Sequence, residues 1–185
     1  MNMQTKDFLR NILFCLKKKG YDLKINDDVC SLSHIRNRSN YEFFYGYYDH
    51  SPENDGKLLF HEMQSDEKSV KIIVKNTING EEKVIAQTSA FNWQMGARAI
   101  WIDGDIVSYN DFDGEKYVCK WFSLSKNHVI KEFAKPLQDY KGGNYYLGVN
   151  YQRLRSYAKE YAYYCLPEMT KSEYDDYEHD GIWKV

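Results

Sequence analysis

Residues 92–98, Asn-Trp-Gln-Met-Gly-Ala-Arg, gather recognition chemistry into seven positions of a 185-residue chain. Trp93 offers a ring face to the C–H surface of a sugar, and Gln94 and Arg98 offer flat polar groups to its hydroxyls. Gly96 lets another group approach the backbone closely. The Arg98 fork suits a phosphate or carboxylate equally well, or else pairs internally with Asp111 or Asp49 to tie neighbouring sheets together. Asp49 and His50 follow a tyrosine run and precede Ser51-Pro52, so they lie on a loop. There they either line a ligand site or serve as ordinary turn residues. Asn110, Asp111 and Arg153 complete the pool of ligand candidates. Asp111 is read as the start of the turn Asp111-Phe112-Asp113-Gly114, and Arg153 as following a strand.

Other chemistries find less support. The five histidines, at 34, 50, 61, 128 and 179, contain no i,i+4 pair. His50, His61 and Gln94 would have to converge from distant positions to hold a divalent metal. Gly-x-Ser-x-Gly, phosphate-loop and dinucleotide fingerprints are missing. The acidic residues Glu53, Asp55, Glu62, Asp66 and Glu67 read as a solvated face, not as a glycosidase pair. The tail 168–180, acidic and tyrosine-rich, reads as a long solvated loop. No catalytic residue, metal site or cofactor is assigned.

The elements that must position these residues are mostly strands. Seventeen Tyr, nine Phe and four Trp favour pleated surfaces. Apolar runs predict strands at 58–62, 70–74, 83–86, 99–102, 105–109, 117–122, 129–133, 144–149 and 181–185. Ahead of them, Phe8, Leu9, Ile12, Leu13 and Leu16 form one stripe of an amphipathic helix within residues 1–20. The chain therefore divides into 1–40, a helix with a connecting segment, and 41–185, a β region. Glycine-marked turns precede strands at Gly56, Gly104 and Gly143, which are 48 and 39 residues apart. A propeller blade of four antiparallel strands takes roughly 40 to 50 residues.

Residues 45–52, 91–98, 106–112, 150–154 and 179–185 resemble a group of bacterial six- or seven-bladed β-propeller proteins. Those proteins are encoded among genes for capsule, O-antigen or other polysaccharide synthesis. The resemblance implies a mostly β fold, a partial propeller of about two blades and the start of a third behind an N-terminal helix. It also implies a non-catalytic carbohydrate-binding or scaffold role. The alternatives are a metal-dependent polysaccharide lyase or hydrolase, and an inactive truncated remnant. Open blade edges would be covered by the helix, by self-association or by a complementing chain. Partners are thus a carbohydrate or a glycan-synthesis protein.

A net charge of −2 argues against a nucleic-acid partner. Cysteines at 15, 30, 119 and 165 include no Cys-x-x-Cys pair and fit reduced thiols. The lysines at 17–19 follow the N-terminal apolar stretch, the reverse of a secretory signal. No stretch is long enough to span a bilayer. The expected address is the cytoplasm.

Overall fold

The Asp55-Gly56 pair has positive φ at both residues, 50° and 71°. This is the backbone that a two-residue hairpin needs, and it joins β2 (Glu53–Asn54) to β3 (Lys57–Gln64). The protein is seen in a computed structural model that describes residues 39–46, 52–64, 68–143, 145–178 and 180–185. All of these belong to one unit, Ser39–Val185. The helix expected within residues 1–20, and Asp49 and His50, lie outside the described residues.

The described chain is mostly β and forms three antiparallel sheets. In the first, β1 (Tyr41–Phe44), β3, β4 (Val70–Asn76) and β5 (Glu82–Thr88) lie side by side, and β2 pairs with β3. The second runs β6 (Ile100–Trp101), β7 (Ile106–Phe112), β8 (Tyr117–Ser123) and β9 (His128–Phe133) in chain order. The third contains β10 (Leu137–Asp139), β11 (Leu147–Gly148) and β12 (Trp183–Lys184).

Side-chain oxygens close the tight turns. Asn76 Oδ1 accepts from the Ile78 amide at 2.8 Å, and Asp103 Oδ1 from Asp105 and Ile106 at 2.8 and 2.7 Å. Asp113 Oδ1 accepts from Glu115 and Lys116 at 2.9 and 2.8 Å. Short Asp and Asn side chains suit this role because they mimic one more backbone carbonyl. The β7–β8 turn therefore begins at Asp113. Asp111 and Phe112 remain in β7, opposite Val118 and Tyr117.

Period-two alternation sends the two faces of the second sheet into different cores. Val107, Tyr109 and Phe122 point one way, joining Leu59, Ile72, Val74 and Ile85 of the first sheet. Cys119 points the other way, joining Ile100, Leu137 and Tyr146 toward the third. Strands buried on both faces lose the apolar-polar alternation of a half-wet sheet, as the run Val-Cys-Lys-Trp-Phe in β8 shows. The middle sheet is a filling between two others. One polar side chain crosses its second seam. Asn110, fully buried, accepts from the Leu137 amide at 2.6 Å and donates to the Leu137 carbonyl at 2.8 Å. It does for Leu137 what the backbone of a paired strand would do.

A third cluster closes one end of the stack. Ala90 and Met95 from the β5–β6 connection pack with Tyr117, Tyr151 and Tyr163. Tyr151 belongs to the single-turn helix α1 (Tyr151–Leu154), capped by Asn150. A 3-10 turn follows at Lys159–Tyr161. Within the tail expected to be loop, α2 (Lys171–Tyr174) carries a Thr170/Glu173 capping box. Among the described residues no helix is long and apolar enough to cross a membrane.

Candidate functional site

The connection from Ala90 to Arg98 is tied down at three points. Asn92 Oδ1 accepts from the Gln94 and Met95 amides at 3.0 and 2.8 Å, and its Nδ2 donates to the Tyr161 carbonyl at 2.8 Å. The Asn92 and Gly96 backbones exchange hydrogen bonds at 3.2 and 2.9 Å. The Ala97 amide donates to His61 Nε2 at 3.1 Å. Gly96, at φ 58°, lies against that imidazole: a Cβ there would fall 2.3 Å from His61 Cε1. Its close approach is thus to a histidine ring of the same chain.

His61 is buried, and its pKa is lowered to about 4 by loss of hydration, only partly offset by the Phe44 backbone. The ring is neutral at pH 7. Because Nε2 accepts, the proton sits on Nδ1, which has no well-formed hydrogen bond. The Nε2 lone pair that a metal would need is spent on Ala97. Among the described residues no cluster of His, Cys, Asp or Glu is arranged to hold a metal ion.

From His61 a file of rings leads outward. Phe44 stacks on the imidazole at 5.1 Å, Trp93 lies 5.0 Å beyond Phe44, and Phe91 meets Trp93 edge-on at 6.3 Å. Trp93 ends that file with 55% of its surface exposed. Phe44 and Phe91 both pack against the indole and hold its plane, so a ligand stacking there meets a platform already set.

Trp93 and Gln94 line a cleft of about 800 Å³. Met63, Phe91, Phe112 and Cys165 supply its apolar wall, and Lys68, Lys159, Glu160 and Tyr164 add polar tips. Burial raises the Cys165 thiol above its ordinary pKa, and its Sγ faces the Ser89 carbonyl at 3.2 Å. Such a thiol is protonated and a poor nucleophile at pH 7.

Arg98 lines a second cleft, of about 890 Å³. It is 2% exposed, sits at φ 50°, and donates through Nη2 to the Gln138 carbonyl. Asp111 pairs with Lys120 Nζ at 2.7 Å. Arg153 borders the second cleft from α1, but its guanidinium is engaged by the tail. Nε pairs with Asp180, Nη1 donates to the Tyr174 carbonyl at 2.6 Å, and Nη2 to that of Asp176 at 3.0 Å. Trp93 and Gln94 thus share one cleft, Arg98 and Arg153 another, while Asp111 is held in an ion pair.

Sequence reasoning passed over Lys68, Lys159 and Tyr164. They reach the cleft from segments far apart in the chain, and the tyrosine-dense stretch 157–164 was the available signal. Comparisons with protein-family models, curated proteins and solved structures return no match.

Proposed function

We propose that this protein is a non-catalytic carbohydrate-binding or scaffold module of bacterial surface-polysaccharide (capsule or O-antigen) synthesis, built from propeller-like blades and working in the cytoplasm. The observation that carries the reading is Trp93, a braced and exposed indole beside Gln94 at the mouth of a cleft of about 800 Å³. Sugars bind such sites by laying a C–H face on the ring while planar amides take hydroxyls, and the volume falls in the range of small-ligand pockets. The blade reading draws support from three consecutive antiparallel sheets stacked in chain order, the middle one covered on both faces. Further blades, from a second copy or a complementing chain, would cover the outer sheets.

Binding of the full chain to a glycan array, followed by calorimetry on the best ligand, tests this. Trp93→Ala is expected to weaken binding by roughly tenfold or more, the loss of one stacking platform, while the protein stays folded with a modestly lower melting temperature from the lost Phe44 and Phe91 contacts. A folded wild-type protein that binds no glycan would overturn the proposal.

A further inference from the structure

We infer that the ligand of the Trp93 cleft is an acidic saccharide, one carrying a carboxylate or phosphate, and that Lys68 and Lys159 select it. The inference rests on the carbohydrate reading above and adds a specificity to it.

The cleft's interior polar groups are already used. Asn92 spends its amide on the connection and on Tyr161, and the Ser89 oxygens face the Cys165 thiol. The groups left for a ligand are Gln94, Lys68, Lys159 and Glu160. In the second cleft the cations sit beside carboxylates of the same chain: Lys141 lies 3.8 Å from Asp139, and Arg153 pairs with Asp180. In the Trp93 cleft, among the described residues, neither lysine is joined to a carboxylate, not even to Glu160 of the same lining. Among the described residues, the lining of this cleft carries two cations, Lys68 and Lys159, and one anion, Glu160. A neutral sugar has little use for two ammonium groups. An acid held over Trp93 meets them while its ring stacks, and Glu160 remains to accept from hydroxyls.

The test is calorimetry of the full chain with three oligosaccharide classes. These are oligogalacturonates, the same oligomers with every carboxylate methyl-esterified, and phosphate-substituted oligosaccharides with their unsubstituted parents. The acidic member of a pair is expected to bind about tenfold tighter at low salt, with the advantage shrinking at high salt as charges are screened. In the double variant Lys68→Gln/Lys159→Gln the acid-to-neutral ratio should fall to about one, whereas Trp93→Ala weakens both members alike. Whichever pair shows the advantage identifies the acid. Equal binding of acidic and neutral members by the wild type would overturn the selection by lysine and leave the carbohydrate reading standing. Binding of no glycan in either form would overturn both.

Discussion

His61 gives the connection that carries Trp93 a dependence on pH. In the unfolded chain its imidazole takes up a proton near 6.5, in the folded protein near 4. Between these values the unfolded chain holds the extra proton, so the contribution of His61 to stability is complete above about pH 6.5. It is lost as pH falls toward 4. From pH 7 to pH 5 the loss is about 2 kcal/mol, and it should appear as a falling urea midpoint. His61→Gln, whose amide oxygen can still accept from Ala97, should flatten the slope; an equal slope in both proteins would refute the assignment. Residue-level legibility was uneven here. Trp93 and Gln94 stood out because an indole beside an amide is chemically conspicuous. The bracing histidine did not, because nothing local to residues 57–64 shows that its ring will lie against Gly96.

Among the elements, β3, β4, β7 and β8 were legible because long apolar runs survive burial on two faces. The short ones were not. β10 has three residues after Pro136 and too little length to show a period, and its place is set by Asn110. The strand expected at 144–149 contracts to Leu147–Gly148, where a Cβ on Gly148 would come within 2.8 Å of the Pro136 carbonyl. The helical turns at Tyr151–Leu154 and Lys171–Tyr174 span one turn each, below the length at which helical periodicity can be read. Their caps, Asn150 and Thr170 with Glu173, were the available signals. Asn110→Ala should remove the partner of the Leu137 amide and one of the two donors to the Leu137 carbonyl, the other being the Tyr151 hydroxyl at 3.1 Å, together with the amide 3.0 Å from the Tyr163 hydroxyl. A cost of about 2 kcal/mol is expected from chemical denaturation. A cost below about 1 kcal/mol would mean that water replaces the amide and the seam is looser than described.

For the molecule as a whole, order should decline outward from the middle sheet. β7 is covered by Val107 and Tyr109 on one side and by Ser108 and Asn110 on the other, whereas β9 is an edge strand with exposed residues along nearly its entire length. Hydrogen–deuterium exchange should therefore be slowest in residues 106–112 and fastest in 128–133 of this sheet, the former exchanging only when the protein opens globally. Matching rates would show that the layers separate independently. The mostly β character of the chain was legible in its short apolar runs and aromatic content. The identity of what they enclose was not, because a seam is made by residues that are neighbours only after folding.

The Asn110 contact also bears on how the second and third sheets can misalign. Two strands joined along a ladder can slip sideways by a pair of residues and find new partners at each step. An amide that grips both polar groups of one residue loses both bonds together in any such slip. Lateral creep between these layers therefore has to pass through a state in which a buried amide and a strand residue are unsatisfied at once, which raises the barrier to misalignment.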